Sequence, residues 1–537
     1  MIGDRDLERV LTVIRRSGVA AQLEAVLRAK PGGAPRQLSV EMLFAACVLV
    51  HGTSFRNATL VRIHDLLTKH LAVSTQLRHG IAWHTGASIR KLEIHQVRYL
   101  FKAAILAVDF SPHSARENGE KLTQDRRIER EAAFYAIVAR LLEESSRAAG
   151  TTFAMAVDAS SLPSWSRGAR QARSAPGEDY RLDSSSFVTK PTCAWDADGR
   201  WGYQTATHDK YDADRFFGFQ MLTASTTFET GSLEQPLKLI TGMTLIPANA
   251  PVTGPTLRML DELMSHQPLK AVMADRGFSM ATNEHWAGPI LERGLDQVFD
   301  LADNQRGPVL DPSTGVLMID GWPCAPWTPR HLHKIARPPR FALKTPGPGA
   351  SSRRKAEYST NRAALLEFQA AQAELAQYAL VSNGRRKASG KRYFFTPTHG
   401  RATATAAQRR TQVFRQATIT IAATTLPHLR QHNRWGSPKW IAEWNRRNAV
   451  ESGYGNLKSL DGEGVRRGWI RVVGIAATGL MAAFAIVHYN LRMLQKWALD
   501  TGYAGDDVVL APTPEILGYE PVELFANEAA VEPPQAA

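Results

Sequence analysis

At 537 residues and a globular composition, the chain is too long for one simple core, and roughly two to four domains are expected. Its net charge of +14 and isoelectric point near 9.7 point to a polyanionic partner, nucleic acid or an acidic membrane surface. Three widely separated cysteines (Cys47, Cys193, Cys324) exclude a disulfide framework and a zinc ribbon, and the opening MIGDRDLERV lacks an apolar export core, so a cytoplasmic protein is expected.

Residues 1–148 read as an all-α N-terminal domain. Leu7, Val10, Leu11 and Ile14 keep helical spacing, Gly18 and then Pro31-Gly32-Gly33 punctuate, and Ser39 caps a run from Val40 to Val50. Further helices are expected around Leu60, Ile63 and Leu67, over Leu92 to Val108 and over Ile128 to Leu142. Such a domain suits DNA binding through a helix in the major groove, but it has no decisive helix-turn-helix signature, and a packing or oligomerisation role stands beside that reading.

The texture changes at Thr151. The run TFAMAVDAS reads as a buried strand delivering Asp158 at its carboxyl end, although an aspartate there is also a common turn former or cap. A long Ser/Arg/Pro-rich stretch follows (Ser160 to Thr192, with Arg167, Arg170 and Arg173). Strands are expected over Arg215 to Thr226 and Leu237 to Ile246, then a helix from Pro255 to Ser265, a strand ending in Asp275, a helix from Thr282 to Arg293 and a strand from Gln297 to Leu301. Strands followed by strand-helix alternation make 151–304 the first part of an α/β layered domain.

From Gln305 to Trp440 the chain holds 22 Lys and Arg against 5 Asp and Glu, so the remainder carries a net −3. Residues 305–435 read as a basic, mostly-β insertion with one helix (Asn361 to Tyr378) and strands near Arg392 to Phe395 and Thr418 to Ala422. The clusters Arg353-Arg354-Lys355 and Arg385-Arg386-Lys387 suit contact with a DNA backbone, with solvated loops as the alternative. Trp322 and Trp327 suit either stacking on unpaired bases or burial in a small core. Cys324, His331 and His333 lack a second thiol or partner motif, so zinc is not expected there.

Residues 436–499 return to the α/β domain. Ser437-Pro438 starts a helix on which Trp444, Arg447, Glu451, Tyr454 and Lys458 share one polar face. A carboxylate between an arginine and a lysine suits phosphate handling, with a solvated Arg447/Glu451 pair as the alternative. The apolar run from Val472 to Val487 is shorter than the ~20 residues that span a bilayer and reads as part of a buried helix reaching Trp497, so no membrane partner is expected. The last segment, 500–537, has eight acidic residues and no Lys or Arg, the composition of a disordered tail.

Two carboxylates at strand ends and a third on a later helix form an oxygen-only donor set, which suits two Mg²⁺ or Mn²⁺ ions in phosphodiester displacement. The chain has no ATP-binding P-loop, no dinucleotide fingerprint and no nucleophile elbow, so no nucleotide cofactor is expected. On these residues the chain resembles bacterial insertion-sequence transposases of the DDE class with an RNase H-like core. It is most similar to the subgroup whose third acid lies in a Tyr, two residues, Arg, three residues, Glu, six residues, Lys signature. Trp444, Arg447, Glu451 and Lys458 meet all three spacings, with tryptophan in place of the tyrosine; Asp275-Arg276-Gly277-Phe278 and the VDAS around Asp158 are similar to the segments bearing the first two acids. The resemblance implies that Asp158, Asp275 and Glu451 ligate two metal ions, and that Arg447 and Lys458 contact phosphates. Trp444 suits stacking on a flipped base, and Arg276 is a DNA contact or a structural partner for a carboxylate. It implies cleavage at element ends and strand transfer into target DNA by a homodimer or larger assembly. An RNase H-like endonuclease or resolvase, or an inactive domesticated DNA-binding protein, are the alternatives, and terminal inverted repeats flanking the gene would separate them.

Overall fold

The computed structural model describes residues 2–28, 36–52, 57–168, 194–203, 215–227, 238–279, 281–341, 343–385, 391–422, 424–459 and 462–511. Pro31-Gly32-Gly33, Arg170, Arg173, Cys193, Arg386, Lys387 and the acidic stretch from Pro512 onward lie outside the described residues. The chain forms two compact units, Met1–Thr152 with Val157–Pro268 and Ala449–Ala537, and Phe153–Ala156 with Leu269–Asn448. The N-terminal helices thus belong to the same unit as most of the sheet, and the basic stretch belongs with the last two strands of the sheet.

In the first unit, α1 (Asp4–Ser17) buries Leu7, Val10, Leu11, Val13 and Ile14, the expected stripe, and ends at Gly18 in the left-handed conformation. Then come α2 (Val19–Arg28) and α3 (Val40–Leu49), whose N-terminus is capped by the Ser39 hydroxyl accepting from Met42 N–H. Short helices α4 (Leu60–Asp65) and α5 (Val73–Arg78) precede an antiparallel hairpin, β1 (Ala82–Thr85) and β2 (Ser88–Lys91). Helix α6 (Ile94–Val108), a minimal hairpin β3 (Arg116–Glu117) and β4 (Glu120–Lys121), and the long α7 (Gln124–Ser146) complete the N-terminal part. It is therefore not all helix. The two hairpins escape sequence reading because β2 is exposed at every position and β3 and β4 are two residues each, leaving no apolar alternation to detect.

The central sheet is mixed, with strand order β10-β9-β5-β7-β6 and β8 paired to β7. Its members are β5 (Ala154–Pro163), β6 (Arg200–Tyr203), β7 (Arg215–Thr226) and β8 (Ile240–Pro247), then, after α8 (Thr253–Met264), β9 (Ala271–Ala274). After β9 come α9 (Arg276–Ser279), α10 (Ala287–Glu292) and β10 (Asp296–Val298), which runs parallel to β9. Strands β6, β7 and β8 are antiparallel neighbours. β7 is buried at ten of its twelve positions, as expected of a strand covered on both faces. Gly218 of β7 lies so close to β5 that a Cβ there would meet Ser164 N at 2.4 Å. β5 runs five residues past Asp158, so that aspartate sits inside the strand and not at its end.

The second unit continues with a three-stranded antiparallel sheet, β11 (Pro308–Leu310), β12 (Leu317–Ile319) and β13 (Trp322–Cys324). Next is α11 (Ser352–Tyr378), nine residues longer at its start than expected. The extra turns begin with Arg353-Arg354-Lys355 and carry no apolar stripe, so only the Ser351 cap announces them. A second antiparallel sheet is built from β14 (Val381–Arg385), β15 (Arg392–Phe395) and, after α12 (Ala406–Arg409) and α13 (Gln412–Arg415), β16 (Thr418–Ile421). Val316, Met318, Leu380, Phe394, Val413, Ile419 and Ile421 form its core. Helix α14 (Pro438–Arg446) closes the unit, capped by Ser437 with Pro438 in the first turn.

Back in the first unit, α15 (Asn448–Lys458, its residues from Ala449 on) precedes α16 (Ile475–Asp500), which is buried around its whole circumference from Ile475 to Leu491. It packs on α3, α6, α7 and β8. Among the described residues no helix is long and apolar enough to cross a membrane. The α16 N-terminus is held by two carboxylates. Asp198 accepts from Ile475 N–H at 2.9 Å and from the Ser111 hydroxyl at 2.5 Å, and Asp196 accepts from Gly474 N–H at 3.2 Å and the Ser164 hydroxyl at 2.7 Å.

Burial pushes the Asp198 carboxyl up to about 7; the Ser111 and Ile475 hydrogen bonds oppose the rise, while Asp196 and Asp109 add to it. The folded chain therefore favours the neutral acid. That contribution to stability is complete below the ordinary carboxylate range, about 4, and is lost as pH rises through about 7. Thermal melting at about pH 5 and pH 8 is expected to give the lower midpoint at the higher pH, and Asp198→Asn is expected to remove most of the difference. An undiminished pH dependence in the variant would move the effect to other groups.

Candidate active site on strand β5 and helix α15

Helix α15 turns Val450, Gly453, Tyr454 and Leu457 inward, at steps of three, one and three, and leaves Glu451 exposed. Gly453 is buried facing Ile240 and Tyr489, and a Cβ built there would meet them at ordinary contact distance. Tyr454, expected on the polar face, is buried. Its hydroxyl lies 2.8 Å from Thr223 Oγ1, 2.9 Å from the Asp158 carbonyl and 3.0 Å from the Met221 carbonyl. One turn on, Lys458 Nζ donates to Ser160 Oγ at 2.7 Å and the Ser161 carbonyl at 2.5 Å. The helix bearing Glu451 is thus fastened at two points to the strand bearing Asp158.

The Asp158 carboxylate is half-buried and accepts from Ala159 N–H at 2.8 Å. Burial brings the Lys458 ammonium down to about 8, and the Asp158 charge opposes that fall. Burial also raises the Tyr454 phenol well above its ordinary range, with the same carboxylate adding to the rise. The hydroxyl accordingly stays protonated and available as a donor to the two carbonyls. Lys458, expected to hold phosphate, spends its hydrogen bonds on β5.

The other expected site residues lie in the second unit. Asp275 immediately follows β9, as the sequence indicates, and Arg276 opens α9; the Arg276 side chain lies outside the described atoms. Trp444 lies on α14 and Arg447 follows it as its cap, in right-handed helical conformation, while Glu451 lies on α15. Helix α14 ends at Arg446, and Arg447 N–H bonds to the Trp444 carbonyl three residues back, a tightened turn before α15. Asn445, a residue type whose side chain competes for backbone hydrogen bonds, lies within it. The Trp444 ring stacks on Trp440 with centroids 5.7 Å apart, and the Arg447 guanidinium lies 4.8 Å from its centre. Trp322 is half-buried against the core of the small sheets: its ring meets Phe394 edge-on, and its N–H donates to the Leu380 carbonyl at 3.0 Å. Trp327 is buried. His331 pairs with Glu374, and His333 with the Thr328 carbonyl.

Asp158, Asp275 and Glu451 offer carboxylate oxygen only, which suits a hard divalent cation. Among the described residues no three His, Cys, Asp or Glu side chains are gathered closely enough to hold a metal ion, so the metal assignment rests on donor chemistry and not on an assembled cluster. Sequence reasoning missed Thr223, Ser160 and Ser161 as anchors. The serines directly follow VDA, and only the partner lysine 298 residues away reveals their role.

Tyr454→Phe removes the hydroxyl that accepts from Thr223 and donates to the Asp158 and Met221 carbonyls, and is expected to cost about 1–3 kcal/mol in denaturant unfolding. An unchanged midpoint would remove the hydroxyl as a fastening point. Comparison with protein-family models and with curated proteins finds no match for the chain.

Proposed function

We propose that the chain is a DNA transposase of the DDE class, cutting phosphodiester bonds at the ends of an insertion sequence and joining the freed 3′-hydroxyl to target DNA. The observation that carries this reading is the double fastening of α15 to β5. Tyr454 and Lys458 set the helix bearing Glu451 in register with the strand bearing Asp158, as two acids acting on one phosphate require. The sheet supports it further. Three antiparallel strands and then strand-helix-strand alternation suit an RNase H-like core, and β9, which Asp275 follows, neighbours β5 in the strand order. The second unit supplies the excess of Lys and Arg that a DNA backbone demands.

In this reading Asp158, Asp275 and Glu451 would hold two Mg²⁺ or Mn²⁺ ions, which supply charge neutralisation at the scissile phosphate and activation of the attacking oxygen. Lys458, fixed by Ser160 and Ser161, keeps a positive charge beside Asp158 and orients α15. Tyr454 holds the Asp158 backbone without entering the chemistry. Arg447, beside Trp444, is the phosphate contact in this scheme. The protein would act on double-stranded DNA, its terminal inverted repeats and its target, as a dimer or larger assembly.

Glu451→Gln removes a ligand charge from an exposed position and leaves the buried face of α15 intact. It is expected to abolish Mg²⁺- or Mn²⁺-dependent cleavage of a duplex carrying the gene's flanking sequence while leaving binding of that duplex within about threefold. Asp158→Asn and Asp275→Asn should behave alike. Native protein that binds the duplex but cuts it in neither metal overturns the enzymatic reading.

A further inference from the structure

We propose that α6 and the β1–β2 hairpin form the surface that reads DNA sequence, with α6 seated in the major groove of a duplex; this rests on the reading of DNA as substrate. Helix α6 buries Val97, Leu100, Phe101, Ala104 and Val108. It turns His95, Arg98, Tyr99, Lys102 and Leu106 to solvent at steps of three, one, three and four, a single stripe along three turns. No Asp or Glu occurs between Ile94 and Val108, and Tyr99 is 67% exposed. An uncovered aromatic ring between two cations has little to offer water and much to offer a nucleic acid.

The charge on this face is uncompensated, unlike that of neighbouring helices. Arg15 pairs with Glu8 and Glu41, and Arg126 and Arg130 pair with Glu117. Among the described residues Arg90, Arg98 and Lys102 enter no ion pair. From Arg78 to Lys102 there are five Lys and Arg and one acid, Glu93, which lies 3.2 Å from His95. Lys91 is committed to the Thr68 carbonyl, while Arg90 and Ile89 are exposed on opposite faces of β2. The hairpin adjoins the helix directly, because Leu92 N–H donates to the Ile81 carbonyl at 2.8 Å just before α6 begins.

A helix with its side chains is about 10–12 Å across, matching a major groove about 12 Å wide. Arginine and lysine donate to guanine edges or phosphates, and a hairpin beside the helix suits the flanking backbone. An acidic membrane fits less well, since the apolar face of α6 is already spent on the protein core.

The test uses the full chain and the triple variant Arg98→Gln, Tyr99→Ala, Lys102→Gln. Each is titrated by fluorescence anisotropy against a duplex carrying the gene's flanking sequence and a scrambled duplex of equal length, over a range of salt. The native chain is expected to prefer its flanking sequence by tenfold or more. The variant is expected to lose that preference and to keep scrambled-duplex affinity within about threefold through the basic second unit, with its melting unchanged. Each lost phosphate contact lowers the log–log salt slope by about 0.9. A variant that keeps its preference, or a native chain without one, overturns the proposal. If the preference vanishes in the variant while native protein never cleaves, the DNA-reading surface stands and the transposase reading falls.

Discussion

A helix that is apolar on every side must be enclosed on every side, and α16 imposes that requirement on the first unit. Leu480, Met481, Phe484, Ile486, Val487, Leu491 and Leu494 are each worth roughly 1.5–3 kcal/mol when withdrawn from water, and no single sheet face can cover them all. The N-terminal helices cover what β8 leaves open. Phe44 of α3 meets Phe484 with ring centroids 4.8 Å apart, and Gly479 lets Phe134 of α7 approach to contact distance. Residues 1–148 therefore pack as part of the unit that holds Asp158 and Glu451. Only surfaces turned away from α16, such as the outer face of α6, remain for other work.

The same burial dictates where the polar groups of α16 go. Asn490 accepts from Ile240 N–H and donates to the Ile240 carbonyl and the Ser145 hydroxyl, so one amide joins α16 to both β8 and α7. Glu463, in the loop after α15, is fully buried; burial alone would raise its carboxyl, but His488 and Arg492 of α16 outweigh it and hold the group below its ordinary range. With Tyr454 and Lys458 on the other side, α15 is tied to β5 before it and to α16 after it. A helix carrying glycines at 453 and 455 has little intrinsic stability, and these ties supply what its sequence lacks.

The elements legible in the sequence are those whose signal is local. The α1 stripe, the Ser39 cap, the limits of β7 and β15, and the strand before Asp275 follow from periodicity and capping residues alone. What escaped depends on partners distant in the chain or on the absence of apolar pattern. The first three turns of α11 are polar on all sides, the hairpins are too short to alternate, and nothing near Tyr454 tells whether a tyrosine flanked by glycines turns in or out. The candidate site divides the same way. Asp158 and Glu451 are nameable because carboxylates in such settings are few, whereas the Lys458 anchorage on Ser160 and Ser161 is a long-range contact that no local pattern announces.

The substitution of tryptophan at 444 bears on the route the chemistry would take. In the resembled subgroup that position offers a hydroxyl to phosphate, and a hairpin intermediate depending on it has no equivalent group in Trp444. Tyr454 does not replace it, because its hydroxyl is committed to Thr223, Met221 and Asp158 inside the fold. What Trp444 has instead is a broad ring already stacked on Trp440 and flanked by the Arg447 guanidinium. Cation–π contact of this kind restrains an arginine and fixes the plane of its guanidinium. In the transposase reading, a platform that orients Arg447 would stand where the subgroup has a hydroxyl, a better-ordered charge in place of one phosphate hydrogen bond. On the same reading, that favours an excision route depending on phosphate neutralisation over one depending on a tyrosine hydroxyl.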